Sequence, residues 1–105
     1  MSKNSVVATI KMLSNELELQ YGAELNLRNH CFLRISYDIT IQNKWDLIIK
    51  SPFTKYANEI QLQNALELLL LYKNDKNRLL EDNVVSLDFR KKVATTKSKS
   101  NLSLF

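Results

Sequence analysis

Gly22 and Pro52 are the one glycine and the one proline in this chain of 105 residues. Average usage is about 7% for glycine and about 5% for proline, and both residues serve mainly where the backbone must turn sharply. A sandwich or barrel needs many such turns, and a glycine-cradled phosphate loop needs several glycines together. All three are excluded, and the economical way to build this chain is from long helices. The apolar fraction of 45% suffices for a single core, and the length suits one domain. One cysteine supplies neither an internal disulfide nor a multi-thiolate metal site. Ser2–Thr9 is polar and lacks the pattern of a signal peptide, and the longest apolar run, Leu68–Tyr72, is far too short to span a bilayer. A cytoplasmic, non-membrane protein is expected.

Hydrophobic spacing places the helices. Val6, Ile10, Leu13 and Leu17 line one face of a first helix, capped by Asn4 or Ser5 and running to about Tyr21. Gly22 is expected to stop it in a left-handed conformation. Asn26 can cap a second segment, and there the pattern is double. Leu33, Ile35, Tyr37, Ile39 and Ile41 alternate with polar residues as in a strand, while Cys31, Phe32, Ile35, Ile39, Trp45 and Ile49 cover one side of a helix. The absence of glycine and proline between Gly22 and Pro52 favours helix over Arg28–Lys50. A hairpin near 33–50, giving an α+β fold, is the alternative. Pro52 then breaks the chain. Asn58 or Thr54 can cap a third helix with Leu62, Ala65, Leu66, Leu69, Leu70 and Lys73 at core-facing or flanking positions, and it sits centrally, because Leu68–Leu71 is apolar on nearly every face. Asn74-Asp75 can separate or kink it from a fourth, Lys76 to about Arg90, where Leu79, Leu80, Val84, Leu87 and Lys91 follow the helical spacing. The expected fold is all-α, a small bundle of about four helices with a disordered C-terminal tail.

Charge divides the chain at the same boundary. Residues 1–88 carry ten Lys and Arg against all eleven Asp and Glu, whereas Arg90, Lys91, Lys92, Lys97 and Lys99 follow with no acidic residue. The basicity therefore belongs to the tail. Val93–Ser100 has no apolar face with which to offset an ordering cost of about 1–2 kcal/mol per residue. The expected organisation is a helical domain over 1–90, a flexible basic linker over 91–100 and a peptide over 101–105. Lys91, Lys92, Lys97 and Lys99 are candidate contacts to a DNA backbone.

Few residues invite catalysis. His30 and Cys31 are adjacent, so their side chains diverge on a helix or a strand. The pairs Glu16/Glu18 and Glu81/Asp82 lie outside any apolar run that would raise a carboxyl pKa. No catalytic residue, metal ligand or cofactor is expected, and the chain reads as a non-enzyme. Arg28, Arg34 and Trp45, near Asp38, Lys44 and Asp46, form a candidate protein-docking set, since Trp and Arg dominate interface energetics. A salt-bridged helix edge with Trp45 partly in the core accounts for the same residues.

Asn101-Leu102-Ser103-Leu104-Phe105 resembles the Gln-Leu-Ser/Asp-Leu-Phe peptide with which bacterial polymerases, mismatch-repair proteins and other replication factors bind the DNA sliding clamp. Leu102, Ser103, Leu104 and Phe105 match position by position. Asn101 stands in the glutamine place with its amide one methylene shorter. Burying the three apolar side chains yields about 1.5–3 kcal/mol each, and ordering five residues costs about 1–2 kcal/mol each, so the affinity expected is about micromolar or weaker. A small body followed by such a peptide is similar in layout to the late-transcription coactivators of large tailed phages. That resemblance implies a body docked on RNA polymerase, a tail on the clamp, DNA engaged indirectly through the clamp, and location in the host cytoplasm. A replication or repair accessory protein that binds DNA is the alternative. Leu27-Arg28-Asn29-His30-Cys31 and Lys44-Trp45-Asp46 also faintly resemble small proteins labelled acetyltransferases, a label that implies a glycine-containing pyrophosphate loop this sequence lacks.

Overall fold

The computed structural model describes the backbone of residues 2–103 and the side chains of residues 2–92. The side chains of Lys97, Lys99 and Asn101–Phe105, on which the expected linker and peptide depend, lie outside the described residues. The fold is all-α. Helix α1 spans Lys3–Leu17, continues through a π-helical turn at Glu18–Gly22 and closes with a short α2 at Ala23–Leu25. Helix α3 spans Asn29–Ile41, a 3-10 turn covers Trp45–Leu47, and a single-turn α4 covers Phe53–Tyr56. Two long helices follow, α5 over Glu59–Asn74 and α6 over Lys76–Ser103. No strand occurs among the described residues, so the hairpin alternative is set aside.

Helix α1 starts earlier than expected: Ser2 is its cap and accepts from the Ser5 N–H at 3.2 Å. Val6, Ile10, Leu13 and Leu17 are all buried, as their spacing required. The expectation for Gly22 is corrected. Its φ is −56°, ordinary helix, and the helical run passes through it. The left-handed residue is Asn26, at φ 55°, so Asn26 ends the first helical run rather than starting the next. Asparagine tolerates that conformation because its short amide bonds locally. Gly22 is needed for closeness instead: a β-carbon there would lie 2.9 Å from the Leu27 carbonyl oxygen. The Leu27 N–H donates to the Gly22 carbonyl across the same gap, at 3.0 Å.

Helix α3 borrows its start from α1. Arg28 at its cap offers no side-chain bond, and Glu18 Oε1 accepts from the Asn29 N–H at 3.2 Å. The helix ends at Ile41, short of the expected Lys50, because Gln42 turns left-handed at φ 62° and its N–H closes onto the Asp38 carbonyl. Trp45 therefore sits in a loop, not on the helix. The Ser51–Pro52 peptide in that loop is cis.

Asn58 caps α5 through a capping box with Gln61. Lys73, in its last turn, gives its carbonyl to Gln20 at 2.8 Å and Tyr21 at 3.3 Å. Leu62, Ala65, Leu66 and Leu69 are buried, as expected, but Leu70 is exposed. Asp75 opens α6 by accepting from the Arg78 N–H at 3.0 Å.

Lys3 lies against α4 at one end of α1, and Glu16 pairs with Lys73 at the other, so α1 and α5 run parallel. Arg34 meets Asn83 and Asp38 meets Arg90, so α3 and α6 run together as well. The tight turn at Asn74-Asp75 makes α5 and α6 antiparallel. The result is an up–down bundle with α5 packed on α1, α3 and α6.

Helix α6 turns only part of its apolar spacing inward. Leu79 is fully buried, but Leu80, Val84 and Leu87 are exposed, Val84 at 66%. The stripe that faces the body is Leu79, Asp82 and Ser86, all buried, flanked by Asn83 and Arg90. Apolar spacing marks the outside of this helix, and polar residues mark the inside.

Candidate functional site

The polar inner face of α6 meets α3 around one carboxylate. Asp38 is fully buried. Its Oδ2 accepts from the Ser86 hydroxyl at 2.6 Å and from Arg90 Nε at 2.9 Å. Its Oδ1 accepts from the Trp45 backbone N–H at 2.9 Å and from Arg90 Nη2 at 3.2 Å. One side chain thereby fastens the last body turn of α6 and the loop after α3 to the same point. Beside it, Arg34 donates from Nη1 to the Ser86 hydroxyl at 2.6 Å and from Nη2 to the Asn83 side-chain oxygen at 2.9 Å. Burial lowers the Arg34 pKa from its usual value, the positive charge of Arg90 adds to that, and Cys31 and Asp38 oppose it.

Two guanidiniums and one carboxylate leave this junction with a net positive charge. The arrangement satisfies a buried anion that would otherwise be costly. Each oxygen of Asp38 accepts two hydrogen bonds. Arg34 and Asp38, four residues apart on α3, do not bond to each other directly but meet through Ser86, 48 residues beyond Asp38.

Trp45 belongs to an aromatic group that holds the loop down. Its ring packs edge-on against Tyr37 at 5.7 Å and against Phe53 at 5.5 Å, and Tyr37 and Phe53 stack at 3.8 Å. Burial pushes the Tyr37 hydroxyl up to about 12. Of the candidate docking residues, Arg34 and the Trp45 backbone both join the Asp38 junction, whereas Arg28 stands apart from it. Arg28 is exposed at the start of α3, Arg34 is committed to α6, and Trp45 lies past the far end of α3, a helix about 20 Å long.

The other singled-out residues have structural partners. His30 is exposed and Cys31 half-buried. Glu16 pairs with Lys73 at 2.7 Å, and Glu18 caps α3. Asp82 accepts from the Tyr72 hydroxyl at 2.6 Å and from Arg78 at 3.1 Å; burial and the Asp82 charge together push the Tyr72 pKa up. Among the described residues no group of three or more His, Cys, Asp or Glu could hold a metal ion, and no helix is long and apolar enough to cross a membrane. Lys91 and Lys92 are exposed, and Lys92 lies 3.3 Å from Asp88.

Sequence reasoning missed Asn83, Ser86 and Arg90. A signal did exist: Leu79, Asp82, Ser86 and Arg90 recur at three and four residues, a polar stripe at helical spacing. Ser86 and Arg90 find their partner on α3, some fifty residues away, and Asp82 finds Tyr72 on α5; no local pattern names them. Comparison with models of known protein families, with characterised proteins and with solved structures gave no match.

Proposed function

We propose that this chain is a non-enzymatic adaptor tethered to the DNA sliding clamp, of the kind that couples RNA polymerase to the clamp in late phage transcription. The observation that carries the reading is the sequence Asn101-Leu102-Ser103-Leu104-Phe105 behind a basic segment with no apolar face. In this mechanism Leu102, Leu104 and Phe105 enter an apolar pocket on the clamp, with Asn101 and Ser103 supplying polar contacts. The body holds a second protein, RNA polymerase or a replication protein, in the cytoplasm where both partners work. DNA is engaged through the clamp, and Lys91, Lys92, Lys97 and Lys99 add a screened attraction to its backbone.

The body's anchoring supports a tether. Arg90 is tied to Asp38, while Lys91 and Lys92 are exposed, so the segment after Arg90 starts from a fixed point. A weak peptide becomes effective when a second contact raises its local concentration. The test is titration of a labelled peptide, Lys97–Phe105, against a bacterial sliding clamp, beside a control with alanine at 102, 104 and 105. Binding at about micromolar affinity that the control abolishes is expected. Equal binding by both peptides, or by neither, overturns the proposal. Retention of DNA by the control peptide, lost at high salt, would favour the DNA-binding alternative.

A further inference from the structure

The loop that follows α3 and the turn of α4 after it bring two lysines to one tyrosine. Lys50 Nζ lies 5.1 Å from the centre of the Tyr56 ring and Lys55 Nζ lies 5.3 Å from it. Lys3, from the start of α1, donates its ammonium to the Lys55 carbonyl at 2.9 Å. Two ammonium groups thus flank one tyrosine, and a third is held at the backbone of the same turn. None of the three forms an ion pair within 4.0 Å among the described residues, whereas Lys44, Lys73, Lys76, Arg78 and Arg90 each have a carboxylate partner. The tyrosine ring eases the crowding of two of these charges without neutralising them.

The same surface carries apolar side chains with nothing over them. Ile48 is 60% exposed, two residues before Lys50, and Ile60 is 73% exposed, four residues after Tyr56. Ile60 and Lys3 line one groove of about 300 Å³, with Val6, Gln63 and one carboxylate, Glu59, between the first turns of α1 and α5; with Lys50 and Lys55 beside it, the lysines outnumber that carboxylate. That volume suits a single inserted side chain. Lysines interleaved with isolated aliphatics call for a surface that alternates carboxylates with apolar side chains. A DNA backbone answers the charge but has no aliphatic group to place in the groove. The end of the bundle is also the right one for a second contact: Asp38 binds both the Trp45 N–H of this loop and Arg90, beyond which the basic segment begins.

From this convergence we infer that Lys3, Lys50, Lys55, Tyr56 and Ile60 form a docking surface for an acidic amphipathic segment of a partner protein. The inference rests on the adaptor reading, in which the body holds a second protein, and it names the chemistry of that protein's docking element. The lysines draw the partner in and set orientation, and the exposed aliphatics and the groove supply the short-range contact.

The experiment records amide shifts of the isotopically labelled full chain with a synthetic helical peptide of Leu and Glu, a short DNA duplex, and phosphatidylglycerol vesicles. Peptide-induced shifts centred on Lys50, Lys55, Tyr56 and Ile60 are expected. The double variant Lys50→Glu/Lys55→Glu should bind the peptide about tenfold more weakly, and Lys11→Glu, elsewhere on α1, should bind as the parent does. All three lysines are exposed, so melting temperatures should coincide and loss of binding reads the surface alone. Shifts centred on the apolar outer face of α6, equal binding by the double variant, or tighter binding to duplex or vesicles overturns the inference. None of these arms uses a clamp, so failure here and failure of the clamp peptide are separate results.

Discussion

At the scale of single residues, Asp38 decides most. A carboxylate with no solvent exposure survives because four donors converge on it, and those donors come from two separate parts of the chain. Asp38→Asn keeps the shape but removes the charge that both Arg90 and Arg34 face. Removing one partner of a buried pair costs about 3–5 kcal/mol, and the lower figure applies because Arg90 can turn partly into water. The expected result is a fall in melting temperature of roughly 10 °C or more by thermal denaturation. An unchanged melting temperature would mean that the junction contributes nothing to holding α6. None of this was legible locally: Asp38 and Arg34 read as a surface pair at helical spacing, and the third and fourth members stand outside any window a pattern can cover.

At the scale of elements, α6 separates apolar spacing from burial. Leu79→Ala should cost about 2–5 kcal/mol, because the side chain is fully buried and the cavity cannot fill. Val84→Lys, at an apolar position of the same helical spacing that is 66% exposed, should shift stability by no more than about 0.5 kcal/mol in the same denaturation experiment. A large loss at Val84 would contradict this orientation of the helix. Helices α1 and α5 were legible because their inward faces are purely apolar: Val6, Ile10, Leu13 and Leu17 on one, Leu62, Ala65, Leu66 and Leu69 on the other. In α3 the absence of glycine and proline correctly outweighed a strand-like alternation, although the helix ends at Ile41 by a left-handed glutamine that no propensity announces. The helix of α6 was legible but its inward face was not, because beside Leu79 that face is built from Asp82, Ser86 and Arg90, which turn inward only through partners on α3 and α5.

At the scale of the whole molecule, the proposed adaptor would divide its work between a body and a basic extension. The body places its polar junction, its aromatic loop and its lysine-rich surface at or near one end, and the extension starts from Arg90 at that same end. An adaptor needs this layout, since two weak contacts reinforce each other only when both surfaces can be reached at once. The candidate peptide was legible as a sequence of five residues; the surface of the body was not, because Lys3, Lys50 and Lys55 come from three separate stretches and only the fold unites them. The most direct test compares the full chain with one ending at Ser100, measuring clamp binding and thermal melting on both. The account predicts that the shorter chain loses clamp binding and keeps its helical content and melting temperature. Clamp binding that survives the truncation, or a large loss of melting temperature, would contradict it.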